Sequence, residues 1–249
     1  MLFSGEVAWV TGSSKGIGRA ASIGLAEEGC DVVVHYGGSE AEAREVAEQV
    51  KTYGRDALLV QGDVADSGDV RRMVREGEEH YGRVDILVNN AGSMVERLTL
   101  AEMTEDVWDR TMEVNLKSVY LCSQAVLPMM KRQGKGRIIN MSSVSARSGG
   151  SPSSIAYATA KGGVSTLTLA MSKELAPEGI LVNAVAPGRI DTPFHEEFTP
   201  DEKREEAKEG ILLGREGTAE EVVGAVLFLA SSYSSYVLGE VLEVGGGIS

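Results

Sequence analysis

The sequence predicts an α/β fold in which one doubly wound parallel sheet carries helices on both faces. Three observations predict it. Short apolar runs alternate with longer stretches of 3.6-residue periodicity along most of the chain, the rhythm of successive βαβ units. Several of the apolar runs are nearly unbroken Val, Ile and Leu, as strands covered on both faces require. No linker, repeat or low-complexity tract divides the 249 residues, so 1–249 reads as a single domain.

The elements follow in order. Strands are expected at Val7–Val10, Asp31–Tyr36, Ala57–Gln61, Val84–Val88, Gly136–Met141, Ile180–Val185 and Val241–Val244. Helical periodicity fills the intervals at Gly18–Glu28, Glu40–Thr52, Val70–Tyr81, Trp108–Arg132 and Tyr157–Ala176, and each strand–helix–strand passage should cross over right-handed. One stretch departs from the alternation. Residues 192–217 are charged, contain Pro193 and Pro200, and stand between the sixth and seventh strands. They read either as an insertion covering a ligand site or as a solvated connector with one short helix at Asp201–Glu209.

With 24 basic and 37 acidic side chains the net charge is −13. Such a surface repels phosphate backbones and anionic lipid, which argues against a nucleic-acid or membrane-surface partner. Small anionic ligands stay open, because backbone N–H groups and a few local cations can hold them. Cys30 and Cys122 are too few for a disulfide framework and form no CxxC pair, which suits a reducing, cytoplasmic setting. His35, His80 and His195 lack metal-ligand spacing, so no metal site is expected. No apolar run approaches the ~18 residues of a membrane-spanning helix.

The chemistry starts at the first strand–helix junction, Thr11-Gly12-Ser13-Ser14-Lys15-Gly16-Ile17-Gly18. A glycine triplet after a strand and opening a helix is the setting of a dinucleotide phosphate site. Gly12 permits the tight turn, Gly16 lets backbone approach the pyrophosphate, and Gly18 allows the helix to pack closely on the strand. After the second strand, where an acid would select NAD(H), the chain reads His35-Tyr36-Gly37-Gly38-Ser39. With no carboxylate there, and with Lys15 and Ser39 as candidate partners for a 2′-phosphate, NADP(H) is the preferred cofactor and NAD(H) an open alternative. Lys15 read blandly is a solvated loop lysine. Asp63, after the third strand, could accept from an adenine amino group or cap the helix starting near Ser67. The fourth strand ends in Asn89-Asn90-Ala91-Gly92, at the edge where open α/β sheets bind ligands, although Asn and Gly also simply build turns.

Tyr157 and Lys161 stand four apart, on one helical face, and Ser143 follows the strand Ile138–Met141. A phenol with a pKa near 10 works at neutral pH only with its phenolate stabilised, and a nearby ammonium does so by charge attraction. A serine hydroxyl would orient the substrate oxygen and stabilise the charge that develops on it. Taken alone, a Tyr and a Lys four apart are ordinary exposed neighbours; after a phosphate loop and a serine at a strand end, the catalytic reading outweighs that one.

Together, Thr11–Gly18, Asn89–Gly92, Asn115, Ser143, Tyr157, Lys161 and Pro187-Gly188 resemble the short-chain dehydrogenase/reductases over essentially the full chain. The resemblance implies a Rossmann-type sheet of seven parallel strands. It implies Tyr157 as acid/base, Lys161 lowering its pKa and gripping the nicotinamide ribose, Ser143 binding the carbonyl, and Asn115 anchoring a proton-relay water. Ser142 competes for the serine role, with the alignment favouring Ser143. Cofactor contacts are implied for Gly12, Ile17, Asp63, Val64, Asn89, Ala91 and Gly92, and for Pro187 to Thr192, with Gly188 and Ile190 in that run and Thr192 on the carboxamide. Ser14 and Gly16 in the phosphate loop and Tyr36 beside Ser39 complete the expected cofactor set. A homotetramer is implied, with helices Trp108–Arg132 and Tyr157–Ala176 at one interface.

Within the family the chain looks most like 3-oxoacyl-[acyl-carrier-protein] reductases, with sugar and polyol dehydrogenases close behind and a non-catalytic NADP(H)-binding regulator as a reading from another class. The substrate is then a small carbonyl or alcohol, free or carried on acyl carrier protein. That carrier is acidic, so a −13 chain needs a local basic patch to receive it. Lys131, Arg132, Lys135 and Arg137 are the candidates. Glu178, where many carrier-protein reductases have a basic residue, and Gly245-Gly246-Gly247, where the family usually has an Asp before two glycines, are departures.

Overall fold

Side chains of a strand alternate between faces, and here both faces are apolar, so every strand can be buried between two helical layers. The computed structural model describes residues 1–198 and 208–247. Its seven strands are β1 (Val7–Val10), β2 (Asp31–Tyr36), β3 (Ala57–Gln61), β4 (Ile86–Asn89), β5 (Gly136–Met141), β6 (Ile180–Pro187) and β7 (Val241–Val244). They form one all-parallel, seven-stranded sheet in the order β3-β2-β1-β4-β5-β6-β7. The chain winds outward from β1 in one direction and from β4 in the other. This reversal opens a crevice at the carboxyl ends of β1 and β4, where such sheets bind ligands.

On one face lie α1 (Gly16–Glu27), α2 (Glu40–Thr52) and α9 (Ala219–Ala230). Their Leu25, Val46 and Val226 pack against Ala8, Val34 and Val88 of the strands. The other face holds α3 (Ser67–Tyr81), α4 (Glu105–Met112), α5 (Ser118–Gln133) and α7 (Ile155–Leu175), and the short α6 (Ser145–Ser148) follows β5. There Met73, Val126 and Met129 meet Trp9, Val33 and Ile138. Adjacent residues Trp9 and Val10 thus enter opposite layers, and each fully buried large aliphatic side chain is worth roughly 1.5–3 kcal/mol. No helix of the described residues is long and apolar enough to cross a membrane.

The expected elements recur with some shifted ends, β4 at Ile86–Asn89 rather than Val84–Val88 among them, and with four further differences. The expected helix Trp108–Arg132 is two helices joined by a π-helical turn at Glu113–Lys117, because the face packed on α7 and the face packed on the sheet are out of helical step. The third helix begins at Ser67 and is capped by Asp66, whose carboxylate accepts from Gly68 N and Asp69 N at 2.8 Å each; Asp63 is not the cap. Helix α9 adds an element not singled out above, started by a capping box between Thr218 and Glu221. Finally, β6 runs on to Pro187. Of the 192–217 stretch, α8 (Pro193–Phe198) is helical, while most of the expected Asp201–Glu209 helix lies outside the described residues.

Candidate active site

The crevice is a cavity of about 830 Å³ running from Gly38 and Ser39, past Gly12, Lys15, Gly16 and Ile17, to Tyr157 and the aromatic pair Phe194 and Phe198. Ala91, Gly92, Pro187, Gly188, Ile190 and Thr192 also line it. Among the described lining residues every charged side chain is a cation: Lys15, Arg97, Lys161 and Arg189. In a chain of net charge −13 this segregation is the electrostatic signature of an anionic ligand.

The first turn is built for close backbone approach. Gly12 (φ +66°) and Gly16 (φ +52°) are left-handed, and a Cβ on Gly12 would stand 3.1 Å from Ala91 Cα. Gly16 faces Thr192 across the cavity, 3.4 Å from where its Cβ would lie. Gly18 stands behind, inside α1, where a Cβ would collide with Gly12 O at 2.1 Å. Asn90 was passed over in the sequence reading, yet its Nδ2 donates to Thr11 O (2.9 Å) and Gly12 O (3.1 Å). Thr11 Oγ1 accepts from Asn90 N (2.9 Å) and Ala91 N (3.0 Å). The phosphate loop and the turn after β4 are thereby one unit. A second overlooked residue, His35, accepts from Gly12 N at Nδ1 (2.9 Å). These glycine cradles and the cationic lining fit a dinucleotide.

The structure places several expected cofactor contacts elsewhere. β4 turns the Asn89 side chain into the layer of α5, where Nδ2 donates to Ser123 (3.0 Å) and Asn140 (2.9 Å), and Asn90 takes the cavity side. Tyr36 is buried with the α1–α2 core, because strand alternation points it with Val34 and gives the opposite face to His35. Val64 is buried in the other core layer. Asp63 pairs with Arg110 at 2.8 Å and accepts from Ala65 N at 2.9 Å. Ser14 is half-buried in the turn and Ser39 stands at the start of α2 with no side-chain cap bond. Lys15 is exposed and pairs with Glu42 at 2.9 Å.

The catalytic candidates converge at the other end. Tyr157, on α7, and Ser143, after β5, line the same end of the cavity. Ser142 Oγ instead donates to Lys161 O at 3.0 Å and meets Ser165 Oγ at 2.8 Å, so the two serines at the end of β5 divide their work. Lys161 Nζ lies 5.6 Å from the Tyr157 ring centre and donates to Met141 O at 2.7 Å. Burial pushes the Tyr157 phenol up to about 12, against a downward pull from Ser143 and the Arg97 charge. Burial likewise pushes Lys161 down to about 8. Asn115 is fully buried in the π turn. Its Nδ2 donates to Ser93 O (2.7 Å) and Thr111 O (2.9 Å), and Oδ1 accepts from Ser93 N (3.2 Å). π turns collect at functional positions; a helical period of 3.6 gives no sign of one in advance.

Over the pocket, Phe194 stacks 5.7 Å from Tyr157 and 5.2 Å from Phe198. Arg97 fastens this aromatic pair by donating to Phe198 O and, at 2.9 Å, to Ser151 Oγ. The basic patch fares differently. Lys131 pairs with Glu178 (2.9 Å), Arg132 with Glu78, and Lys135 with Glu6 (3.0 Å), while Arg137 is half-buried. The patch sits at the amino end of β5, and three of its four cations pair with carboxylates of this chain.

Comparison with known proteins agrees with the geometry. A family model described as enoyl-(acyl carrier protein) reductase, of the short-chain alcohol dehydrogenase type, matches residues 12–249. The chain is 42% identical over 241 residues to a 3-oxoacyl-[acyl-carrier-protein] reductase of Staphylococcus aureus, covering 97% of each chain. It is 41% identical over 249 residues to the Thermotoga maritima protein of that name, covering 100% of this chain and 99% of the relative. A Synechocystis relative, also so named, is 39% identical over 244 residues, 98% of this chain and 96% of its own. A cationic dinucleotide-shaped crevice, a Ser–Tyr–Lys cluster at its end and full-length similarity have one common reading: the chain belongs to the short-chain dehydrogenase/reductase family and is an oxidoreductase.

Proposed function

We propose that the protein reduces the ketone of 3-oxoacyl thioesters, including those borne on acyl carrier protein, with NADP(H). The observation that carries this is the convergence of Ser143, Tyr157 and the buried Lys161 at the end of a cavity whose charged lining is cationic. The names of the relatives narrow the substrate. When bound, the nicotinamide supplies the hydride. This chain's residues do the rest. The glycine turn and Lys15 hold the phosphates, Ser143 and Tyr157 grip the carbonyl oxygen, and Tyr157 delivers the proton. A phenol held at about 12 is fully protonated at neutral pH, the form a reduction needs, whereas alcohol oxidation needs the phenolate and should gain with rising pH. Asn115, held by Ser93 and Thr111, flanks the route by which the proton returns.

The whole chain, 1–249, acts as one dinucleotide-binding and catalytic unit in this reading, with residues 192–217 covering the substrate. Copies associate into a homotetramer through the apolar groove of Met112, Leu116, Tyr120, Gly163 and Leu167. Two buried free cysteines suit the reducing cytoplasm.

The pairing of Lys131, Arg132 and Lys135 with carboxylates of this chain favours a second reading, in which the substrate is a small sugar or polyol that needs no carrier. The discriminating assay compares NADPH oxidation by an acetoacetyl thioester with NADP⁺ reduction by glucose, each repeated with the non-phosphorylated cofactor. Turnover with sugar alone would sink the thioester reading. Tyr157→Phe should abolish turnover and leave dinucleotide affinity nearly unchanged; near-normal turnover would remove Tyr157 from its role. Tight NADPH binding with no turnover on any carbonyl would favour a regulator.

A further inference from the structure

We propose that His35 is a positioning residue for the dinucleotide: a neutral imidazole strut that holds the phosphate loop to the end of β3 and lets go when protonated. The proposal rests on the dinucleotide reading above. His35 is 3% exposed and both ring nitrogens are engaged. Gly12 N–H reaches Nδ1 at 2.9 Å, and Nε2 lies 3.0 Å from Gly62 O. An amide N–H can only donate and a carbonyl can only accept, so Nδ1 is the acceptor and Nε2 carries the hydrogen. The contacts dictate one tautomer of the neutral ring.

The ring joins the phosphate loop to the turn that follows β3. Gly12 heads the phosphate loop, and Gly62 precedes the turn that leads to Asp63. Backbone reinforces the link from the same residue: Ser13 N donates to His35 O at 2.8 Å, and His35 N donates to Ser13 Oγ at 3.2 Å. Gly12 sits at φ +66°, a conformation adopted locally and kept by whatever holds its N–H. Protonation would place a hydrogen on Nδ1 facing the Gly12 hydrogen. The bond becomes a repulsion, and the buried N–H loses its acceptor.

The charges that bear on the ring are the carboxylates of Asp63 and Asp69. Asp69 is paired with Arg72 at 2.9 Å and Asp63 with Arg110 at 2.8 Å. The residues bonded to His35, Gly12, Ser13 and Gly62, do not titrate. Burial outweighs the two carboxylates and holds the imidazole below the usual histidine value. The strut is therefore intact through neutral pH and fails on acidification below the ordinary histidine range, about 6.5.

Calorimetric titration with NADP⁺, which tolerates acid, tests this from about pH 8 to about pH 5 on the wild type, His35→Asn and His35→Gln. Asn places an amide oxygen near the Nδ1 position and keeps an acceptor for Gly12 without titrating. Gln places its amide nitrogen near the Nε2 position and keeps only the Gly62 side. The expected result is a wild-type Kd that rises about tenfold more than that of His35→Asn on acidification, the loss of one buried hydrogen bond. His35→Gln should already be about tenfold weaker at pH 8, with kcat nearly unchanged and the dinucleotide KM raised. Titration of the 2′-phosphate is common to all three proteins and cancels. A structural role alone would not separate the pH curves. Superimposed wild-type and His35→Asn curves, or wild-type affinity in His35→Gln, would overturn the strut. Imidazole nitrogen shifts of the unmutated protein provide a check that needs no variant: an Nδ1–H tautomer near neutral pH would also overturn it. Absence of any NADP⁺ or NAD⁺ binding by the wild type would instead refute the dinucleotide reading itself.

Discussion

The Lys161 ammonium donates to Met141 O at 2.7 Å, which ties a buried charge of α7 to the last residue of β5. Burial lowers its pKa to about 8, whereas an unfolded lysine titrates near 10.4. Between these values the unfolded chain binds the extra proton, so this residue's contribution to stability rises with pH across the window and is least favourable below about 8. Lys161→Met is expected to stabilise the fold at pH 7 by roughly 1–3 kcal/mol, offset in part by the orphaned Met141 carbonyl, while turnover is lost. Denaturant unfolding at pH 7 and pH 10 checks this. The gain should shrink at the higher pH, and a variant less stable than the wild type at pH 7 would refute the reasoning.

Gly92 separates Asn115 from the cavity. A Cβ there would stand 2.7 Å from Asn115 Oδ1 and 3.4 Å from Lys161 Nζ. Gly92→Ala should therefore displace both side chains and lower kcat by about a hundredfold, with the melting temperature within a few degrees of the wild type. Dinucleotide affinity measured alongside should fall much less than kcat. Unchanged kcat would mean that Asn115 and Lys161 need not keep their present positions.

Lys15 and Glu42 form an exposed pair at 2.9 Å, and the first turn of α2 carries two acids, Glu40 and Glu42. A 2′-phosphate approaching Ser39 must win Lys15 from Glu42. Glu42→Gln should improve NADPH affinity several-fold and leave NADH affinity unchanged, and Lys15→Ala should do the reverse. The ratio of the two KM values reads this directly. A ratio unmoved by both changes would take Lys15 out of cofactor selection.

Burial raises the pKa of both thiols, Cys122 to about 12 and Cys30 further. Neither should react with a disulfide reagent at pH 8 in the native protein, and both should react on unfolding. Rapid native labelling would show that one of them is exposed by a local opening.

Much of the fold was legible because strand and helix periods differ and the strands are two-sided. The boundaries of β1, β2, β3, β5 and β7 could be read from runs of Val, Ile and Leu. The Thr11–Gly18 turn could be read as well, since left-handed backbone selects glycine. Three things escaped. The π turn has no composition of its own. Which of Asn89 and Asn90 faces the ligand depends on strand phase, which a one-residue extension of β4 decides. His35 looked like a strand residue because its partners, Gly12 and Gly62, are 23 and 27 positions away and contribute only backbone atoms. The carboxylates beside Lys131, Arg132 and Lys135 were likewise out of reach, since cations counted along the chain say nothing of acids folded against them.

The π turn at Glu113–Lys117 has a consequence for how this chain tolerates length changes. One surplus residue in a helix advances everything after it by about 100°, so α4 and α5 are two screws cut out of phase and joined at Asn115. A single deletion beside Asn115, within Glu113–Lys117, could be absorbed by relaxing that turn into plain helix, leaving α4 and α5 in place. The polypeptide would survive the lesion and Asn115 would rotate off its mark. Such a shortened protein should fold, pack and fail as a catalyst, a separation of architecture from chemistry that substitutions at the site rarely achieve.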